Sequence, residues 1–240
     1  MKLDLHIHSI YSDGCCSPEQ IASRAKALGL NGFAITDHDT SSAWERGKKA
    51  AKELGLVFVA GKEIVIRKKP KFCEKKGKKI GEILALFLDE DLKIKKEEQT
   101  PENVKEIIEQ IHERNGIAAI PHPFSELFRK QNMLQFLSEK KIKFDAIESI
   151  NGRCNAKENG KAIEYATKNK IPQIGGSDAH TFREIGSVYT FSETYNLEEY
   201  KKLIKKGLSK PIGIQKGLLE INLNRLNGRL LRIMKNKSEI

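Results

Sequence analysis

The chain is 240 residues long, which suits one large domain, and 39% of its residues are hydrophobic, enough at this length to bury a substantial core. No apolar run reaches the roughly 18–20 residues of a membrane span, and the opening MKLDLHIHSIYSDG lacks the basic-then-apolar order of a secretory leader, so a cytoplasmic protein without membrane contact is expected. The formal net charge of +11, from 43 Lys and Arg against 32 Asp and Glu, favours anionic partners such as phosphorylated metabolites or nucleic acid, although Lys/Glu-rich surfaces also accompany thermal stability.

Short apolar runs alternate with helical stretches along the chain. KLDLHIH reads as a first strand, and Ser17-Pro18-Glu19 opens a helix toward Leu28 with proline at a first helical position. GFAITDH (32–38) is a second strand, followed by a helix through about Leu54, and GLVFVAGKEIVI (55–66) is a third strand. The lysine-dense RKKPKFCEKKGKKIG reads as a solvated hairpin or loop, and GEILALFL (81–88) as a buried strand. A helix starts at Thr100-Pro101, carries Val104, Ile107, Ile108 and Ile111 on its apolar face, and stops at Asn115-Gly116. GIAAIPHPF is a strand, 125–140 helical, FDAIESIN (144–151) a strand, 155–169 a helix, and IPQIGGSDAH (171–180) a strand with its exit loop. Strands alternating with helices predict a parallel sheet with right-handed crossovers, and at least six of them favour a barrel over an open sheet. The barrel is expected over 1–209, with 210–240 as a basic amphipathic helical segment packed on its exterior.

Five of the six histidines fall at predicted strand ends. His6 and His8 are two apart on one strand, so both imidazoles project to one face, here the barrel interior, which is hard to explain as packing and reads as metal ligation. Asp13, in the following SDG turn, would taken alone be an ordinary turn aspartate. His38 in TDHD follows the second strand. Its neighbour Asp37 points to the other side as a partner that orients a ligand, and Asp39 caps the next helix. Glu63 is an inward carboxylate that needs a cation or a proton. His122 stands between two prolines, and Asp178 and His180 share one side of the last strand's exit. In parallel barrels this C-terminal rim carries the active site. His112, on a helix, reads as surface or helix-end packing. The scattered cysteines (Cys15, Cys16, Cys73, Cys154) form no C-x-x-C pair, which points away from a disulfide framework or a zinc knuckle and toward a reducing compartment. A ligand set of imidazole nitrogen and carboxylate oxygen suits Zn, Mn or Fe. Carboxylates gathered so closely repel one another unless cations neutralise them. The chemistry that follows is phosphoester hydrolysis by metal-activated water, with no protein nucleophile. No P-loop, GxSxG or Rossmann fingerprint competes with it.

In this order, the stretches DLHIHSIYSDG, AITDHDT, GKEI, IPHPF, IESINGR and GGSDAHTFREIG resemble the PHP (polymerase and histidinol phosphatase) family over residues 3 to 186, with the tail beyond resembling a PHP-associated C-terminal segment. The resemblance implies a distorted (βα)7 TIM-like barrel with two or three divalent metal ions at the C-terminal ends of its strands. By position, His6, His8, Glu63 and Asp178 would hold one ion. Glu63 would bridge to a second, shared with His122. Asp13, His38 and His180 would hold a third. Where the family places a histidine before the strand EILALFL, this chain has Glu82, which either binds the second ion through oxygen and favours a harder metal such as Mn, or turns away. Arg153 is a candidate for reaching the substrate phosphate, and Lys62 and Arg183 are weaker ones. Glu148 is a candidate buried partner of a ligand. A small phosphorylated metabolite or nucleotide is the first expected substrate, and nucleic-acid ends, trimmed by a nuclease, are the second. A metal-free RNA-binding barrel is the non-enzymatic alternative.

Overall fold

A computed structural model describes residues 1–69, 77–125, 133–213 and 226. Its strands are β1 (Lys2–Asp4), β2 (Gly32–Ile35), β3 (Val57–Arg67), β4 (Lys79–Leu86), β5 (Ile117–Ile120), β6 (Ala146–Asn151), β7 (Gln173–Gly176), β8 (Val188–Phe191) and β9 (Lys210–Gly213). Its α-helices are α1 (Pro18–Ala27), α2 (Trp44–Glu53), α3 (Val104–Glu113), α4 (Met133–Glu139), α5 (Ala156–Lys168) and α6 (Leu197–Lys205). Local sequence sets the helix starts. The Ser17 side chain accepts from the Gln20 backbone N–H while Gln20 reaches back to the Ser17 N–H, and Asn155 and Glu158 repeat this reciprocal pairing at the start of α5.

The strands follow the order β7-β6-β5-β4-β3-β2-β1-β8-β9. Neighbours among β1–β7 run parallel except β4, which is antiparallel to both β3 and β5. This corrects the expected all-parallel sheet: β3 ends at Arg67 and β4 starts at Lys79, a connection shorter than the dozen or more residues that a parallel crossover takes. Beyond the β1 ladder the chain continues to an isolated parallel bridge between Ile7 and Ala179, where the His8 N–H donates to the Ala179 carbonyl at 2.9 Å. That bridge brings the end of β7 against the end of β1 and nearly closes the barrel.

All of β1–β7 contribute to one interior cluster, through Leu3, Ala34, Val59, Leu84, Ile117, Ala119, Ala146 and Ile174. Tyr200 and Ile204 of α6 join the same cluster, so α6 packs against the core at the end of the barrel remote from the histidines. Outside the barrel, β3, β4 and β5 pack on α3 and α4, and α1 and α2 cover the face of Phe33 and Ile35. Strands β8 and β9 pair antiparallel at the outer side of β1, an arrangement not predicted. Lys210–Gly213 are therefore strand rather than the start of the terminal helix. The rest of that predicted segment, except residue 226, lies outside the described residues, as do Cys73 and residues 126–132 of the predicted 125–140 helix. Among the described residues no helix is long and apolar enough to cross a membrane.

Candidate metal centre

His6 and His8 follow β1, His38 follows β2, His122 follows β5, and Asp178 and His180 follow β7, while Glu63 and Glu82 come from inside β3 and β4. All eight converge at one rim of the barrel with Asp13. Gly176 permits the approach: a Cβ there would meet His6 Cβ at 2.4 Å and a Glu148 carboxylate oxygen at 2.8 Å. His122 (φ 29°) and Asp178 (φ 51°) hold left-handed backbone conformations that non-glycine residues seldom adopt, strain of the kind that clusters at functional sites.

Glu63 is the hub. Its Oε1 lies 3.1 Å from His122 Nε2 and 3.6 Å from His6 Nε2, while its Oε2 lies 3.0 Å from His38 Nδ1 and 3.3 Å from His8 Nε2. The Asp178 carboxylate stands 3.4 Å from His8 and 3.7 Å from His6. Asp13 Oδ1 reaches His180 at 3.2 Å, His8 at 3.5 Å and His38 at 3.7 Å. Glu82 stays inward, with Oε2 at 3.5 Å from His122 and Oε1 at 3.7 Å from His38.

These spacings fit divalent ions. Two ligand atoms about 2.1 Å from a common ion lie about 3.0–3.4 Å apart at octahedral or tetrahedral angles. His6 Nε2 and His8 Nε2 face each other at 3.1 Å. His38 Nδ1 is buried and makes no hydrogen bond despite the neighbouring Glu63 oxygen, and Glu82 Oε2 is buried without one. Four ligand triads satisfy mutual proximity: His6/His8/Glu63, His8/Asp13/His38, His8/Asp178/His180 and His38/Glu63/Glu82.

The electrostatics make the same demand. Burial alone would lower the His8 pKa, yet hydrogen bonds to Asp178 and Glu63 carry it up to about 10. His6 is likewise raised, against burial, by Glu148, Asp178 and Glu63. Burial works to raise Glu63 and Asp178, but positive imidazoles hold both well below the ordinary carboxylate range. Burial and the adjacent Glu63 push Glu82 up to about 7. Burial lowers His38 and His180, and the His8 charge adds to this. Without ions, Glu63 and Asp178 are balanced chiefly by protons on imidazoles that burial would strip.

A family model described as PHP domain matches residues 4–148, more than half of the chain. The chain belongs to the PHP domain family. A second model, PHP-associated, matches 156–207, which spans α5 through α6, including β7 and β8. An uncharacterized protein of Methanocaldococcus jannaschii is 37% identical over 138 residues, covering 53% of this chain and 70% of the relative. A 5'-3' exoribonuclease of Haemophilus influenzae is 46% identical over 63 residues, but these make up only 26% of this chain and 23% of the relative. Among solved structures, a two-domain Bacteroides vulgatus protein described as containing a predicted PHP-like metal-dependent phosphoesterase superposes with a TM-score of 0.68 at 17% identity, over 89% of this chain and 64% of that one. The chain thus spans less than two thirds of that two-domain protein.

The PHP rim also contains side chains around the ligands: Glu148, which the sequence singled out, and Asn151 and Glu184, which it did not. Glu148 Oε1 stands 3.0 Å from His6 Nδ1, and its Oε2 accepts from the His122 backbone N–H at 3.0 Å and from Asn151 Nδ2 at 2.8 Å. With a proton on Nδ1, His6 presents Nε2 to the cluster, the usual way an outer carboxylate fixes a ligand tautomer. Asn151 also donates to Asp178 at 3.3 Å, a link that no spacing in INGR reveals. Glu184 accepts from the backbone N–H groups of His180 and Thr181. Asp37 touches no histidine directly. It accepts from the Ser9 backbone and from the hydroxyls of Ser9 and Ser12, and Ser12 Oγ lies 3.5 Å from His8 Nδ1. Arg153 is part-buried, with Nε 3.9 Å from Glu184, and its charge acts on both Asp178 and His180. Lys62 shares the outer face of β3 with Ile64 and pairs with Asp91 at 2.5 Å, so the fold does not bring it to the cluster. Arg183 is exposed in the turn after His180. His112 is apart on α3, 2.8 Å from Asp145.

Proposed function

We infer that this PHP chain is a metal-dependent phosphoester hydrolase whose ions are held by His6, His8, Asp13, His38, Glu63, Glu82, His122, Asp178 and His180. The observation that carries the reading is Glu63, whose two oxygens each face a different pair of imidazoles, the arrangement of a carboxylate shared between ions. Divalent ions in such a cluster polarise a phosphoryl oxygen and lower the pKa of water. The chain's own groups do the rest. Glu148 holds the proton on His6 Nδ1, the Asp37–Ser12 link holds the loop that carries Asp13, and the barrel wall excludes solvent from the inner ligands. The cluster opens at Asp13 and His38, whose side chains are each 29% exposed against 0–1% for His6, His8 and Glu63. A phosphate entering there meets Arg153, whose guanidinium can pair with two oxygens. A small phosphorylated metabolite or a nucleotide is the proposed substrate.

A second reading, a nuclease acting on nucleic-acid ends, is favoured by the likeness to the Haemophilus exoribonuclease over 63 residues and by the net charge of +11. One experiment addresses both. Chelator-stripped protein is reconstituted with Mn, Zn or Fe and assayed on phosphomonoesters, nucleotides and end-labelled single-stranded RNA and DNA at about 50 and 200 mM salt, with a His6→Ala/His8→Ala control. Metal-dependent phosphate release that the control lacks supports the hydrolase. Activity confined to polynucleotide and falling steeply with salt selects the nuclease. Absence of metal binding and of activity overturns both.

A further inference from the structure

Lys79, at the start of β4, places its ammonium on Glu82 Oε1 inside the ligand cluster. The contact divides the Glu82 carboxylate. Oε1 is taken by an internal cation on its side toward His38, 3.7 Å away, while Oε2, buried and without a hydrogen bond, faces His122. Glu82 is 2% exposed, so it cannot swing into solvent to escape the pairing, whereas the Lys79 side chain is 21% exposed. The ammonium contacts Glu82, whose oxygens in turn lie 3.5 Å from His122 and 3.7 Å from His38, with Glu63 3.0 Å from the same His38 nitrogen. The Lys79 charge acts on His38 as well as on Glu82.

We propose that Lys79 acts as a built-in counter-cation at the Glu82 corner, limiting Glu82 to one ligand oxygen and making that corner the weakest divalent-ion position of the centre. The inference rests on reading the cluster as a metal centre. The physical reasoning is direct. A fixed positive charge a few ångströms from a dication opposes its binding, and at an effective protein dielectric that opposition is far larger than thermal energy unless the lysine moves away. An ammonium on Oε1 also removes the bidentate mode that a carboxylate otherwise offers a hard ion such as Mn. The buried carboxylate Glu82 is neutralised in part by an amine that needs no metal supply, which lets the corner remain charge-balanced with fewer ions.

The test is stepwise Mn²⁺ titration of chelator-stripped protein, with free Mn²⁺ counted by electron paramagnetic resonance, for wild type, Lys79→Met, Lys79→Arg and Lys79→Met/Glu82→Gln. Lys79→Met is expected to tighten the weakest step by about tenfold or more and leave the tighter steps unchanged. Lys79→Arg, which keeps the charge, should retain the wild-type isotherm, and Glu82→Gln on the Met background should abolish the gain. A Lys79→Met isotherm that superimposes on wild type, or a Lys79→Arg isotherm that tightens equally, overturns the proposal while leaving the metal centre intact. Failure of every form to bind Mn²⁺ overturns the metal-centre reading and this inference with it.

Discussion

Glu148→Gln is the most informative single change, because it removes one acceptor and almost no volume. The native carboxylate receives three hydrogen bonds, from His6 Nδ1 at 3.0 Å, the His122 backbone N–H at 3.0 Å and Asn151 Nδ2 at 2.8 Å. A glutamine has one oxygen for these three donors. With its oxygen toward His122 and Asn151, its amide faces His6 Nδ1 and donates to it, shifting the imidazole proton to Nε2, the atom that points at His8 and Glu63. With the oxygen toward His6, the amide confronts two buried donors. The second arrangement costs about 1–3 kcal/mol for the unsatisfied groups, or roughly 2–12 °C in Tm for a chain of this size. The first costs metal affinity, by about 10–100-fold for loss of an outer partner of a ligating histidine. Chelator competition for metal affinity and thermal melts of the metal-free protein separate the two. If both quantities stay within error of wild type, Glu148 does not set the His6 tautomer and the orientation argument fails.

His8→Ala removes the residue common to three of the four ligand triads, so metal content should fall by at least one ion per chain while the far-ultraviolet spectrum is retained; undiminished content would dismiss the shared-ligand geometry. Gly176→Ala forces a Cβ to within 2.4 Å of His6 Cβ, and overpacking of this kind costs about 1–3 kcal/mol, so a lower Tm is expected together with weaker metal binding, and an unaltered Tm would contradict the close approach. The metal-free protein should lose stability as pH rises. The His8 pKa is raised from 6.5 to about 10 on folding, so its contribution is fully present below pH 6.5 and fades as pH climbs toward 10. Melts of chelator-treated protein between about pH 6 and pH 9 check this, and a midpoint that rises over the window would reverse the sign assigned to His8. His112→Ala, outside the cluster, should leave metal affinity unchanged.

Much of the rim was legible from side-chain chemistry alone. The two-residue spacings His6/His8 and Asp178/His180 each put two donors on one side of a chain segment, and the structure brings both pairs to the same cluster. The reversed β4 was not legible, because periodicity marks an apolar strand without its direction, and the run GEILALFL reads alike either way. Strands β8 and β9 escaped notice because they are short and half-exposed, with burial alternating weakly along VYTF and KPIG. Lys62 illustrates a limit of motif adjacency. It sits beside Glu63, but strand alternation sends it to the opposite face, where it pairs with Asp91. Asn151 and Glu184 were missed because their roles lie in contacts with residues far along the chain or across a turn, and Lys79 because an i,i+3 pair within a strand is not a spacing that alternation puts on one face.

The burial gradient across the cluster bears on how the site would operate. His6, His8 and Glu63 are almost fully enclosed, and Glu148 and Asn151 brace them from behind. Ions held by that inner group would gain the most from the low dielectric and would exchange slowly, since release requires the enclosed carboxylate Glu63 to stand unbalanced. Asp13 and His38 face outward, and Asp13 is held below the usual carboxylate range, against its burial, by His180, His8 and His38. A group that stays ionised at the mouth and is only part-buried suits an ion that arrives and departs with solvent or with a phosphate. Glu63 touches both regions through different oxygens, so inner and outer occupancy would be coupled through one carboxylate. Filling the inner position neutralises Glu63 and weakens its pull on His38 Nδ1, so the outer position should bind less tightly once the inner one is full.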